Sequence, residues 1–219
     1  MSNSRFLVQH AKRELTMRTF AEVDRTAGQY YFSSQRSGID NRCRERMIRR
    51  CLPHVKPNGT VLELGFMDGQ WTDHFLAKGC SVVAVEGALK NVEFGHNKYR
   101  SQPRVRMVRS LFDDYRPEEK FDLIHMGGML KHLDNPGDLL RIAKGWLKPD
   151  GILTATTPNA NSLHRRVGVH MGMLKDLTDL SETDNAVGNL RHYDLNSFRQ
   201  LLETSGFNNF YFHYQAGVE

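Results

Sequence analysis

The residues best suited to chemistry are two carboxylates, each in or at the end of an apolar run. Glu63 precedes a turn that contains Gly65 and Gly69, and Glu86 ends the run Ser81–Glu86. A glycine turn lets the backbone approach a ligand closely, and an acid at the end of a second strand can accept both hydroxyls of a ribose. The order strand, glycine turn, helix, strand, acid therefore predicts a nucleotide-like ligand.

The glycine spacing narrows the class of ligand. A dinucleotide-binding turn has the pattern G-x-G-x-x-G, whose middle glycine admits a pyrophosphate. Here Gly65 and Gly69 flank Met67, so that pattern is absent. The alternative to a nucleotide-like ligand is a glycine turn that joins a strand to a helix and binds nothing.

Two histidines are candidates for a general base. His132 follows a predicted strand, at the edge where open α/β sheets bind ligands, and His192 precedes the last predicted helix. For each, the alternative is a structural, hydrogen-bonding histidine. No set of residues for covalent catalysis is evident.

These residues must be positioned by alternating strands and helices, which begin at residue 57. Such alternation predicts an α/β fold with a Rossmann-like, doubly wound and mostly parallel sheet. Helices are predicted over Gln70–Ala77, Leu89–Lys98 and Leu195–Thr204, with another beginning at Asn135-Pro136, and a turn at Pro149–Gly151. The predicted strands are Thr60–Leu64, Ser81–Glu86, Arg104–Val108, Phe121–Met126, Ile152–Thr157 and Phe207–Tyr214.

The N-terminal segment, residues 1–56, differs from the rest in charge. It holds twelve Lys/Arg and five Asp/Glu, whereas residues 57–219 hold eighteen and twenty. We predict a helical cap over 1–56, with breaks at Thr26–Gly28 and near Ser33–Asp40. An amphipathic helix with arginines on its solvent-exposed face explains the excess positive charge of this segment. Contact with nucleic acid or an anionic substrate is the alternative. The remainder, 57–219, is predicted as one core that carries an insertion at 159–193.

Composition favours a soluble, cytoplasmic protein. Of the 219 residues 25% are charged, mean hydropathy is -0.54, and no apolar run approaches the ~20 residues that span a bilayer. The first residues lack the continuous apolar stretch of a secretory signal. Cys43, Cys51 and Cys80 are odd in number and lack CxxC spacing, which favours reduced thiols over disulfides or zinc.

Several segments in order resemble the class I S-adenosylmethionine (SAM) methyltransferases. The likeness is strongest to the small-molecule branch that includes ubiquinone-biosynthesis O-methyltransferases and antibiotic-sugar N-methyltransferases. It covers residues 57–158 well and 190–214 moderately. Besides the turn after Glu63, the segments that carry it are Phe121–Ile124, Leu130–Leu133, Leu147–Gly151 and Thr157–Asn159.

The resemblance implies SAM as cofactor, S-adenosylhomocysteine as product, and a role for each matching residue. Glu86 would bind the ribose, Leu111 and Phe112 would flank the adenine, and Met126 and Gly127 would line the sulfonium side. The complete set of expected cofactor-binding residues is Glu63, Gly65, Phe66, Met67, Gly69, Trp71, Thr72, Glu86, Gly87, Ala88, Ser110, Leu111, Phe112, Met126 and Gly127.

The chain departs from the family pattern at several positions. Met67 replaces the middle glycine, and Ser110 replaces an acid that receives the adenine amino group in many relatives. Gly128 and Lys131 stand where ubiquinone O-methyltransferases have glutamates, so we expect no metal. The family usually has two strands after the last helix, and the sequence shows one; either the sheet has six strands or the C-terminus is trimmed.

The substrate side is expected from the cap and the insertion, which could close over the ligand. Arginines there suggest an anionic group on the acceptor, and a solvated surface loop is the alternative. The expected substrate-binding residues are Tyr30, Tyr31, Arg36, Asn159, His164, Arg165, Arg166, Arg191 and Tyr193.

The leading hypothesis is methyl transfer to an oxygen or nitrogen of a small, optionally anionic metabolite by in-line displacement without a metal. One alternative is an RNA methyltransferase, which the basic N-terminal segment motivates. Another is a non-catalytic partner protein, which Met67 and Ser110 motivate. We expect no membrane partner, no nucleic acid, and a monomer or homodimer.

Overall fold

The computed structural model describes residues 19–31 and 38–213. Their core is a five-stranded sheet in the order β3-β2-β1-β4-β5, in which every neighbouring pair is parallel. This confirms the predicted Rossmann-like α/β fold. The strands are β1 (Thr60–Leu64), β2 (Ser81–Glu86), β3 (Val105–Arg109), β4 (Phe121–Gly127) and β5 (Leu147–Thr156).

Helices cover both faces of the sheet. Alternate residues of one strand enter different cores: Val61 and Val82 pack on one face, and Leu62 and Val83 pack on the other. This alternation explains why the strands read as continuous apolar runs. The helices are α1 (Phe20–Tyr31), α2 (Gly38–Cys51), α3 (Gln70–Ala77), α4 (Leu89–Lys98), α5 (Pro136–Lys144), α6 (Leu163–His170), α7 (Glu182–Ala186) and α8 (Leu195–Thr204).

Local sequence signals set many of these bounds. Strands β1 and β2 and helices α3, α4 and α8 have the predicted residues. Helix α8 begins at the capping residue Asp194, whose carboxylate accepts the Ser197 backbone N–H at 2.7 Å, and the chain leaves it at Gly206 with φ +87°. Its Phe198 and Leu202 are buried against the sheet.

The predicted break at Thr26–Gly28 is wrong, because α1 continues through it to Tyr31. The Thr26 hydroxyl donates to the carbonyls of Glu22 and Val23, so it is satisfied within the helix. Of the second predicted break, 33–37 lie outside the described residues, and α2 already begins at Gly38.

The predicted last strand, Phe207–Tyr214, is wrong for its described part. Phe207–His213 has no strand, and Phe207, Phe210 and Phe212 pack individually onto the core. The aromatic alternation that suggested a strand therefore reflects side-chain burial without pairing. As a result β5 is an edge strand of the described sheet.

The predicted turn at Pro149–Gly151 is also wrong, since β5 already begins at Leu147. The pairing of β4 with β5 shifts register between Phe121 and Leu123, so β5 stays paired on both sides of this irregularity. Pro149, which lacks an N–H, is tolerated because β5 is at the edge.

Helix α2 of the predicted cap packs against the core. Ile48 of α2 is fully buried in the cluster that contains Val61 and Phe75. The boundaries near residues 56, 159 and 193 stay predictions. No helix of 19–31 or 38–213 is long and apolar enough to cross a membrane.

Candidate active site

The turn after β1 contains three residues in the left-handed region. Gly65 has φ +90°, Met67 +57° and Gly69 +74°. A Cβ at Gly69 would lie 2.6 Å from the Tyr99 hydroxyl and 2.8 Å from the Phe66 ring, so only glycine fits there. Met67 adopts a left-handed conformation that usually favours glycine.

Glu86 lies at the end of β2 beside this turn and is 6% exposed. Its Oε2 accepts the Met67 N–H at 3.3 Å, and its Oε1 accepts the Ala88 N–H at 2.9 Å. Burial raises the pKa of Glu86, and these hydrogen bonds oppose the shift. Asn91 and the Gly87 backbone also hydrogen-bond to Glu86, so ribose hydroxyls would share its two oxygens with these donors.

Glu63 and His125 form a buried polar pair below the turn. They are aligned on β1 and β4, and neither side chain is exposed. Burial raises the pKa of Glu63 to about 8 and lowers that of His125 to about 3, so both are mostly neutral at pH 7. The Thr72 hydroxyl donates to Glu63, and His125 Nδ1 lies 2.9 Å from the Thr154 hydroxyl. The sequence analysis did not single out His125. A titratable residue within a predicted apolar strand could have identified it.

A cleft opens at the carboxyl ends of the strands and continues along the edge strand β5 as far as Leu147. Its total volume is 1490 Å³, above the ~300–1000 Å³ of typical single-ligand sites, because it includes both parts. The predicted cofactor-binding residues that line it are Gly65, Met67, Trp71, Glu86, Gly87, Ser110, Leu111, Phe112 and Gly127.

The remaining predicted cofactor-binding residues lie behind the cleft surface. Met126 belongs to the core under the sheet, so its side chain does not line the sulfonium side as expected. Glu63 is buried and mostly neutral, and it supports the turn from below. The full set behind the surface is Glu63, Phe66, Gly69, Thr72, Ala88 and Met126.

Helix α1 lies over one end of the cleft. Asp24 accepts the Leu89 N–H at 2.7 Å and forms a 3.1 Å ion pair with Arg109, which fixes the helix beside β2 and β3. A Cβ at Gly87 would lie 3.0 Å from Val23 of α1, so glycine allows this close approach. The cap therefore contacts the end of the cleft where adenine was expected.

His132 lies on a short 3₁₀ turn, Leu130–His132, and lines the cleft. Its Nδ1 is 3.0 Å from the Gly188 carbonyl oxygen, an acceptor, so we assign the proton to Nδ1 and the lone pair to Nε2. The Leu190 N–H donates to the Lys131 carbonyl at 2.9 Å. These two contacts tie the histidine to the insertion and orient its ring.

His192 lies in a buried network instead of the cleft surface. Its Nε2 is 3.0 Å from Asp184 Oδ2, and Arg165, 6% exposed, lies 3.5 Å from the same oxygen. Although burial opposes the shift, hydrogen bonds from Ser181, His192 and Asn189 hold the pKa of Asp184 well below its usual range. Arg165 and His192 thus hold the insertion together, and the expected substrate contact of Arg165 is replaced by this structural one.

The other predicted substrate-binding residues divide into three groups. Asn159, His164 and Tyr193 line the cleft, whereas Arg166 is exposed elsewhere and Arg191 donates to the Asp134 carbonyl. The side chains of Tyr30 and Tyr31, and the whole of Arg36, lie outside the described residues.

Lys131 also lines the cleft, and burial lowers the pKa of its ammonium group. Sequence analysis considered it only as a departure from a metal site. Within the described ranges, no three His, Cys, Asp or Glu residues are grouped so as to hold a metal ion. A metal-free reaction stays a prediction.

A family model described as a methyltransferase domain matches residues 35–211. No curated protein matches the sequence significantly. Among solved structures, an S-adenosylmethionine-dependent methyltransferase from Mesorhizobium loti is 17% identical, with 77% of this chain and 82% of that chain covered and a TM-score of 0.60. N-methyltransferase NodS from Bradyrhizobium japonicum, in complex with S-adenosyl-L-homocysteine, is 16% identical, with coverages of 62% and 71% and a TM-score of 0.53. The match to coclaurine N-methyltransferase covers 39% of that chain. The TM-scores of the first two structures show that they share the fold of this chain.

Proposed function

The chain belongs to the methyltransferase domain family and is an S-adenosylmethionine-dependent methyltransferase, and we propose that its acceptor is an oxygen or nitrogen of a small metabolite. The transfer is an in-line displacement that uses no metal. The observation that carries the proposal is the position of His132, which lines the same cleft as the glycine turn and Glu86.

The cleft residues fit the cofactor. Glu86 lines the cleft and is the acceptor for the ribose hydroxyls in this proposal, and Gly65 and Met67 bring the backbone to the cleft surface. Leu111 and Phe112 provide apolar sides for the adenine. When bound, S-adenosylmethionine supplies an electrophilic methyl group on a positively charged sulfur.

His132 is the general base in this proposal. Because Nδ1–H donates to the Gly188 carbonyl, the lone pair of Nε2 can take a proton from an acceptor hydroxyl or ammonium. The contact also fixes the ring, which reduces the entropy cost of aligning acceptor and base. The family-like turn, the carboxylate and the base thus belong to a single cleft.

Residues of the cap and insertion limit the access of water. Val23 and Met47 line the cleft from α1 and α2, and Asn159 and Tyr193 line it from the insertion side. Exclusion of water protects the electrophile from hydrolysis. We further propose a cytoplasmic enzyme, monomeric or homodimeric, and three free cysteines support that compartment.

The test is transfer of labelled methyl groups from S-adenosylmethionine to a panel of metabolite alcohols and amines, in the presence of a chelator. We expect His132→Gln to lower kcat by about 10²–10⁴-fold while the affinity for S-adenosylhomocysteine is unchanged. His96→Gln, at an exposed site on α4, is the control. Full activity of His132→Gln would contradict its role, and loss of activity with the chelator would contradict a metal-free reaction.

A further inference from the structure

The arginines of α2 fall into two groups with different surroundings. Arg44 forms a 3.0 Å ion pair with Asp68, and Arg49 lies 3.5 Å from Glu45. The other three, four residues apart, all line the cleft: Arg42, Arg46 and Arg50. Residues at this spacing share one face of a helix, so the Cα atoms of these three exposed arginines form a row about 12 Å long.

This arginine row (Arg42, Arg46 and Arg50) has no carboxylate partner within the described part of the chain. Arg50 lies 3.4 Å from the His213 ring, and Arg42 and Arg46 form no salt bridge with any residue that the structure describes. Like charges four residues apart on a helix destabilise it. A bound anion would relieve that repulsion.

The carboxylates that line the cleft do not neutralise the row. Glu86 accepts backbone amides at the end of β2, and Asp194 caps α8. Asp113 and Asp134 also line the cleft, and among the described residues neither forms an ion pair with the row. The cleft also contains Lys131, which adds a cation on the β4 side.

A second row on α2 lies beside the arginines. Cys43, Met47 and Cys51, also four residues apart, line the cleft and are half-buried. Helix α2 therefore presents an apolar row next to a cationic row. The Arg44–Asp68 pair joins α2 to the turn that follows β1, so the helix that carries both rows is fixed at the glycine turn.

We propose that the arginine row binds the anionic group of the acceptor and that the apolar row packs against its hydrocarbon body. The inference rests on the proposed function and names the acceptor class: a small amphipathic anion, such as a carboxylate, sulfonate or phosphate ester with an aromatic or aliphatic body. The sequence had suggested that arginines of the insertion bind the anion, but Arg165 is paired with Asp184. The proposal assigns anion binding to α2 instead.

The experiment compares two fluorescent probes on protein saturated with S-adenosylhomocysteine. 8-Anilinonaphthalene-1-sulfonate has an apolar body and an anionic group, and N-phenyl-1-naphthylamine has a similar body without charge. We expect the double variant Arg42→Gln/Arg46→Gln to weaken sulfonate binding by at least about tenfold, because each lost contact is a charge-assisted hydrogen bond. Binding of the uncharged probe should be unchanged, and Arg49→Gln, on the same helix, should alter neither.

Several results would overturn the inference. Equal sulfonate affinity in the double variant and the wild type would show that the arginine row does not bind the anion. A tenfold loss of S-adenosylhomocysteine affinity in the double variant would assign the row to the cofactor. Displacement of the probe by single-stranded RNA, with steep salt dependence, would assign it to nucleic acid. If the wild type does not bind S-adenosylhomocysteine, the proposed function fails instead.

Discussion

Replacing Glu63 by glutamine should remove much of the pH dependence of stability between pH 6.5 and 8. The Glu63 carboxyl is fully buried, and its pKa is raised by burial and by the charges of Asp68, Asp73 and Glu86. The unfolded chain has already lost this proton above about pH 4.5, whereas the folded protein keeps it up to about pH 8. Folding therefore takes up a proton across this range, and stability falls as pH rises.

The size of the effect follows from proton linkage. One proton changes the free energy of unfolding by about 1.4 kcal/mol per pH unit, which accumulates to about 5 kcal/mol from pH 4.5 to 8. His125 acts in the opposite direction, since its folded pKa of about 3 lies below the unfolded value of 6.5. Its contribution increases with pH and is complete near pH 6.5. From pH 6.5 to 8 Glu63 acts without it and should lower stability by about 2 kcal/mol.

Urea unfolding, followed by tryptophan fluorescence, measures this directly, since the ring centroids of buried Trp71 and His125 are 3.9 Å apart. Wild type and Glu63→Gln are compared at half-unit steps from pH 6.5 to 8. We expect the stability of the wild type to fall relative to that of Glu63→Gln as pH rises, with a slope difference of about 1.4 kcal/mol per unit below pH 8. Parallel curves would refute the assignment of a buried, protonated acid.

Three further substitutions test the turn and the insertion. Gly69→Ala should destabilise the protein by more than about 2 kcal/mol, since the new Cβ would lie 2.6 Å from the Tyr99 hydroxyl. The control is Gly172→Ala, at a position with φ +71° and open space around it, which should cost only about 1 kcal/mol of backbone strain. Equal losses in thermal unfolding would show that the clash is absent. Met67→Gly should change stability by no more than about 1 kcal/mol, because relief of left-handed strain is offset by unfolded-state entropy. The Kd for S-adenosylhomocysteine should change less than about threefold, and a tenfold gain would show that the methionine side chain blocks the cofactor. Asp184→Asn should lower stability at pH 7 by about 3 kcal/mol. The loss should shrink progressively as pH falls below about 4, because the contribution of a carboxyl with a lowered pKa is complete above its unfolded pKa and disappears towards its folded pKa. A loss at pH 2 as large as that at pH 7 would contradict this.

Much of the fold could be predicted because its signals are local. Apolar runs that end in Glu86 or Gly65, and a helix that begins at a capping Asp194, depend on neighbouring residues alone. The errors arose where tertiary contacts decide. Aromatics at Phe207–Phe212 alternate like a strand, yet they pack onto the core without pairing.

The candidate site was predicted less completely, for a physical reason. The sequence shows which residues can bind an anion but not which are already paired. Arg165 is paired with Asp184, whereas Arg42 and Arg46 line the cleft. Motif spacing placed Glu86 correctly at the cleft, because the end of β2 fixes its position whatever the rest of the chain does.

Calorimetric titration with S-adenosylhomocysteine tests the central claim most directly. We expect binding to the wild type, weakened at least about tenfold by Glu86→Ala because a buried carboxylate that accepts ribose hydroxyls is lost. Glu93→Ala, at an exposed site on α4, is the matched control and should leave the affinity unchanged. No binding to the wild type, or equal affinity in the two variants, would contradict a cofactor site built on Glu86.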